Sequence, residues 1–239
     1  MNNFNEDYSQ TRREVGNEAG LTRFMSRMYG NMTLAVLVSA LSSFLTLSVF
    51  RTQVFGYISQ HPGTMWIVLL LPIALSMGIS FRATRNPVAS FIMLMVLSVI
   101  YGVVFSLICA AYTSTSITAA FVSSAAVFLT MTIYGNVTKR DLSKIGAHAI
   151  AALVALIIAS VINMFLQSAI ITYIFSYIAV IIFTVLTAWD TQKMKQIYLQ
   201  YGNQVSVSGL AVLGALQLYL DFVNLFISFL QIFGMSSRD

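Results

Sequence analysis

The sequence predicts an all-α integral membrane protein that crosses the bilayer seven times. Three observations carry that prediction. Of the 239 residues, 58% are hydrophobic and only 9% are charged, whereas an ordinary soluble domain carries roughly 25% charged residues. The apolar residues gather into runs of about 20, the length a helix needs to cross hydrocarbon. The Lys and Arg residues fall on alternate joints between those runs. Polar and apolar residues do not alternate along the runs, which argues against a transmembrane barrel.

The elements follow in chain order. Residues 1–22 are polar and hold half of the eight acids (Glu6, Asp7, Glu14 and Glu18). They precede any apolar run and lack a cleavage-site pattern, so they read as a flexible cytoplasmic tail rather than a removable signal peptide. Residues 23–239 form the transmembrane domain. Its first span is 29–49, and the second, 64–81, is short. The third and fourth are 88–111 and 116–137. The fifth, 145–167, and the sixth, 169–191, meet so closely at Gln167–Ser168 that they must form a helical hairpin. The seventh is 207–233, and the loop before it, 192–206, is the longest. No joint is long enough to hold a soluble module.

Orientation follows from the bases. Arg12, Arg13, Arg23 and Arg27 precede the first span, and Arg82 and Arg85 follow the second. Lys139, Arg140 and Lys144 follow the fourth, and Lys193 and Lys195 follow the sixth. With seven spans, these eleven lie on one side, against Arg51 and Arg238 on the other. The N-terminus is therefore read as cytoplasmic and the C-terminus as outside. The formal charge of +5 marks membrane sides and is not a signal for nucleic acid. Cys109 stands alone, so no internal disulfide forms. His61 and His148 are too far apart for a local metal motif, and no phosphate-binding Gly-rich loop or HExxH pattern is present. No bound cofactor is expected.

Chemistry concentrates on two acids. Asp141 sits among bases and Asp239 is terminal, which leaves Asp190 and Asp221 within or at the edge of apolar spans. An ionised Asp at a helix centre costs about 2.5–3.5 kcal/mol on insertion scales, so such a residue faces protein or water and often marks a pathway. Stepping along span seven by threes and fours gives Ala211, Gly214, Gln217, Asp221, Asn224, Ser228 and Gln231, every one small or polar. A helix presents these positions as one stripe. Two readings fit it: a lining for an aqueous path, and close helix–helix packing. In span six, Thr184, Thr187 and Asp190 lie on neighbouring turns. Helix tilt can bring Asp190 and Asp221 together. Two carboxylates in contact share a proton, and when ionised they offer hard oxygen ligands to a cation such as Ca²⁺.

The stretches "AWDTQKMK" and "LYLDFVNLFISFLQIFG", with "YGNVTKRDLS" before span five, closely resemble the Bax inhibitor family, most of all its bacterial inner-membrane branch. The resemblance covers the chain from about Arg23 onward. It implies a bundle of seven helices with the seventh at its centre. For some members it also implies a pH-dependent calcium leak gated by an aspartate pair, which Asp190 and Asp221 match. Calcium would then be the transported ion. The family picture includes a basic latch near the cytoplasmic end of span two, and "SFRATRNP" offers Arg82 and Arg85 for it. Span two has no acid, unlike some leak-type relatives. The resemblance supports a second reading, a non-conducting regulator that binds a membrane-anchored quality-control protease, with the N-terminal tail as its contact.

An enzyme is not expected. Intramembrane aspartyl proteases need GxGD around the second acid and a later PAL motif, but Asp221 stands in "LYLD" and no PAL follows. A retinal receptor would need a Lys inside a late span, and span seven has none. His148, one turn after Lys144, is read as an interfacial His. Tyr29, Trp66, Tyr134, Tyr173 and Trp189 fit interface belts.

The topology has a direct test. A reporter that works only in the cytoplasm should be active when fused after Lys195 and inactive after Arg238. Activity at both positions would make span seven re-entrant.

Overall fold

A computed structural model describes the backbone of residues 2–61 and 63–236. It describes side chains from residue 18 onward, apart from residues 62, 65, 69 and 235–239. Arg238 and Asp239 thus lie outside the described residues. Every element in the described chain is helical. In order these are α1 (Asn2–Ser48), α2 (Arg51–Gln60), α3 (Thr64–Arg82), α4 (Pro87–Cys109), α5 (Ser114–Val137), α6 (Ser143–Leu166), α7 (Ala169–Tyr201) and α8 (Val207–Ser236).

Six of the described helices are long and apolar enough to cross a membrane: α1 from Glu18, then α4, α5, α6, α7 and α8. The expected seventh crossing is α3. Its apolar stretch, Trp66–Arg82, is shorter than the others, and Pro72 lies inside it, removing one rung of the backbone ladder. Helix α1 runs from Asn2 through the first span. Two other differences from expectation have local causes. The joint after the first span folds into α2, none of whose residues is buried. Helix α7 continues to Tyr201, ten residues past the expected end, because no Gly or Pro interrupts it before Gly202. Asp190 is therefore inside a long helix.

Helix ends are set by local chemistry. The Asn86 side chain accepts from the Ala89 N–H at 3.1 Å with Pro87 next in the chain, a favoured helix start. Thr113 caps α5 through the Ser116 N–H at 3.2 Å. Outside the spans, Asp141 accepts from the Ser143 N–H at 2.9 Å. Hydrogen bonds from the Ser143 hydroxyl and amide, with nearby Lys144, hold its carboxyl below the usual carboxylate range. The α6–α7 hairpin turns as expected, on Gln167 in the left-handed region (φ 51°) and Ser168.

Helix α8 occupies the middle. In its most apolar stretch 72% is buried, against 11–33% for the other five long spans. It packs against α7, α1, α5 and α4, and Leu216, Leu218, Tyr219, Leu225 and Leu230 are fully enclosed. Small residues let the neighbours approach, as helix packing in lipid requires. The buried residues of α5 (Ser116, Ala120, Ser124, Phe128, Thr132 and Gly135) form one stripe. Gly135 abuts the Ala188 carbonyl of α7, Gly102 abuts the Ser39 carbonyl of α1, and Gly209 abuts the Ala83 carbonyl at the end of α3. The base-bearing joints meet at one end of the bundle. There Arg27 donates to Ser208 at 2.6 Å, Lys195 donates to the Asn136 carbonyl at 2.9 Å, and Gln192 donates to the Arg140 carbonyl at 2.8 Å.

Two alanine variants test these approaches. A Cβ at Gly135 falls on the Ala188 backbone, so Gly135→Ala should cost about 1–3 kcal/mol, the usual penalty for overpacking. Gly30 has open space around it within α1, so Gly30→Ala should stabilise by about 0.5–1 kcal/mol. Thermal unfolding in detergent reads both. A Gly135→Ala protein that melts no lower than the parent would contradict the close α5–α7 crossing.

Candidate functional site

The two acids singled out by the sequence face one space. Asp190 on α7 and Asp221 on α8 line a cavity of about 740 Å³, walled on its third side by α6 through Leu153, Ile157 and Ser160. Asp190 is 8% exposed and Asp221 is 4% exposed. Helix α8 brings Gln217, Asn224 and Ser228 into the same space. Asp190 Oδ1, Asp221 Oδ2 and Gln217 Oε1 are buried, and none has a hydrogen-bond partner among the described residues. Three acceptors without a hydrogen-bond donor therefore converge on one cavity, and of them Asp190 Oδ1 is ion-paired with Lys193. A leftover donor would suit an anion, whereas leftover oxygens suit a proton, water or a cation.

The rest of the stripe divides by role. Asn224 donates to the Leu220 carbonyl at 2.7 Å and Ser228 donates to the Asn224 carbonyl at 2.7 Å, so both satisfy their donors within α8. Gln231 lies one cavity further along, where its Oε1 accepts from Ser176 at 2.5 Å. Gly214 does not line the cavity. It packs against Met28 of α1 and Met194 of α7, and Ala211 is fully buried. The first turns of the stripe thus serve packing, and the part from Gln217 onward faces the cavity. Thr184 and Thr187 donate to carbonyls of their own helix, at 2.6 and 2.7 Å.

The ion pair at Asp190 differs from expectation. Lys193, one turn along α7, places its Nζ 3.7 Å from Asp190 Oδ1. The same ammonium lies 4.5 Å from the ring centroid of Trp189, a cation–π contact that holds it at the cavity wall. Arg82 and Arg85 are both exposed, and neither pairs with Asp190 among the described residues. The reason is positional. Helix α3 packs on α4 and meets α8 in its first turn, where Ala83 touches Gly209. Helix α7, which carries Asp190, is not among the substantial neighbours of α3. By sequence alone Lys193 serves only as a marker of sidedness. Its i,i+3 spacing from Asp190 was the available signal.

Sequence reasoning also missed Gln192. Its Oε1 accepts from the Leu142 N–H at 2.9 Å while its Nε2 donates to the Arg140 carbonyl, so it clamps the α5–α6 joint to α7. Gly146 of α6 packs flat against the Trp189 ring, fixing the cavity's base-bearing end. His148 lies outside the cavity, exposed, with Nδ1 2.6 Å from the Lys144 carbonyl. Among the described residues no group of three or more His, Cys, Asp or Glu could hold a metal. Any cation at the aspartates would draw its remaining ligands from amide oxygens and water.

The chain is similar to known proteins over most of its length. The family model described as "Inhibitor of apoptosis-promoting Bax1" matches residues 21–238. An uncharacterized membrane protein of Streptococcus pyogenes serotype M1 is 38% identical over 217 residues, covering 91% of this chain and 94% of that protein. The uncharacterized protein YrjE of Lactococcus lactis subsp. lactis (strain IL1403) is 35% identical over 217 residues, covering 91% of this chain and 92% of that protein. The inner membrane protein YbhL of Escherichia coli (strain K12) is 34% identical over 231 residues, covering 90% of this chain and 93% of that protein.

The pairing at Asp190 can be measured. A double-mutant cycle of Lys193→Met and Asp190→Asn, read by thermal unfolding, should give a coupling of about 0.2–1 kcal/mol. The value is modest because the Lys193 side chain is 34% exposed. A coupling of zero would mean that Lys193 is not the partner of Asp190.

Proposed function

The chain belongs to the Bax inhibitor family, and on that footing we propose that it is a pH-sensitive cation leak, with calcium as the transported ion, gated by Asp190 and Asp221. The protein is a multi-pass membrane protein. The proposed arrangement has seven crossings, α3 included, with the N-terminus cytoplasmic and the C-terminus outside, in the inner membrane of a bacterium. The eleven-to-two division of the bases supports that orientation. The inner-membrane relative YbhL supports the location.

The observation that carries the reading is the pair of buried carboxylates on one cavity, each with an oxygen that has no hydrogen-bond partner among the described residues. Two such groups on facing helices are costly in a bilayer unless something positive visits them. At neutral pH and above, the pair is at least singly ionised. It then attracts the Lys193 ammonium at the cavity wall and holds the path closed. Lower pH protonates the pair, weakens that attraction and favours opening. Protonation also weakens direct calcium binding, so flux need not follow affinity.

The test uses purified protein in calcium-loaded liposomes. Wild type should release calcium with a marked dependence on pH around neutrality. Asp190→Asn and Asp221→Asn should each flatten that dependence, because a neutral amide has no proton to gain. Variants that keep the wild-type pH profile would remove the gate. A folded wild type that passes no cation at any pH would remove the leak altogether and leave a non-conducting membrane regulator.

A further inference from the structure

We propose that the seam between α6, α7 and α8 is a hydrated cation path, and that a second oxygen-lined station around Asn163 and Gln231 lies at the end opposite the aspartates. The proposal takes from the leak reading only the identity of what moves. The seam itself stands on four observations of geometry.

The aspartate cavity does not end blindly. A second cavity of about 520 Å³ continues from it, and Leu156, Ser160, Met164 and Ala179 line both. On α8 the polar positions run from Gln217 in the first cavity to Gln231 in the second. Those fourteen residues rise about 21 Å at 1.5 Å per residue, most of the thickness of a hydrocarbon core.

The buried polar atoms without a hydrogen bond follow the same line, and of those on the seam Asp190 Oδ1 has an ion-pair partner, Lys193. Five buried side-chain atoms have no hydrogen-bond partner among the described residues. Four of them belong to residues on this seam: Asp190, Gln217 and Asp221 in the first cavity, and Asn163 in the second. The fifth, Ser90, belongs to α4. At Asn163 the amide nitrogen is engaged, donating to the Ser168 carbonyl at 3.2 Å and to Thr172 Oγ1 at 2.9 Å. These bonds fix the side chain and leave Oδ1 without a partner. All four atoms are oxygens, and Asn163 is 8% exposed. An acceptor left bare in hydrocarbon is costly, so water or a cation must reach it.

The wall on the lipid side is thin. Helix α6 has only 11% of its most apolar stretch buried, and α7 is its one substantial neighbour. It is pinned at one end by Gly146 against Trp189 and at the other by the turn at Gln167. Between those pins it walls the cavity without packing directly on α8. By contrast, the cavity of about 360 Å³ between α1, α4, α5 and α8 is lined mainly by apolar side chains such as Phe105, Phe121, Phe222 and Phe226. None of the five unpartnered atoms belongs to its lining.

Thiol accessibility in full-length protein in liposomes tests the path. In a Cys109→Ser background, Ser160→Cys and Ala179→Cys place a thiol where the two seam cavities join. Ser43→Cys places one in the apolar cavity as a control. A charged, membrane-impermeant methanethiosulfonate should label the two seam thiols at least about tenfold faster than the control, because charge is excluded from hydrocarbon. Labelling should also block most of the calcium flux. Seam thiols that react no faster than the control overturn the proposal. So do seam thiols that prefer an uncharged, lipid-dissolved maleimide, since acyl chains would then fill the seam. Fast labelling of a protein that carries no calcium upholds the hydrated path and removes the leak reading alone.

Discussion

Lipid gives apolar helices no hydrophobic reason to associate, so a bundle within it must be held by close packing. That constraint explains why α8 is enclosed and why its neighbours meet it through small side chains. Glycines touch backbone carbonyls at three crossings, Gly102 at Ser39, Gly135 at Ala188 and Gly209 at Ala83. Each contact brings two helix axes near enough for the large residues beside it to interlock. Tyr219 is fully buried and bonds Ser39 at 2.6 Å, which ties the central helix to α1. The aspartate cavity lies where this packing stops. On the side of α8 facing α6, the two helices stand apart, and Gln217, Asp221, Asn224 and Ser228 interrupt the apolar residues of α8.

Much of the architecture was legible because apolar runs and base-bearing joints obey simple rules. The Gln167–Ser168 turn and the stripe from Gln217 to Gln231 follow from residue type and spacing. The limits of α7 and α2 were less legible. "TQKMKQIYLQY" is polar enough to resemble a loop in a membrane protein, yet it contains only residues that tolerate a helix, and the helix continues. Helix α2 has no buried face from which a period could be read.

The site was legible in part, and for a physical reason. An isolated acid in an apolar run signals itself by its cost, so Asp190 and Asp221 stood out. What surrounds them depends on which helices touch. Arg82 and Arg85 satisfied the charge requirement but lie at the end of α3 and in the turn after it, which meets α8 near its first turn. Lys193 satisfied it on the same helix as Asp190. The α6 wall could not be foreseen, since its lining residues Leu153, Leu156 and Ile157 are ordinary apolar residues. Gly214 was placed on the correct helix face, but packing against Met28 and Met194 decides its use.

The one-sided attachment of α6, through α7, separates two duties that many bundles combine. The contacts that hold the molecule together run through α8 to α1, α4, α5 and α7. The helix that screens the seam from the bilayer takes little part in them. Displacing the middle of α6 disturbs one interface and leaves the interlocked centre as it was. Durability and responsiveness are thereby assigned to different segments of the chain. Substitutions on the outer face of α6 can alter how the seam meets its surroundings without drawing on the stability of the core.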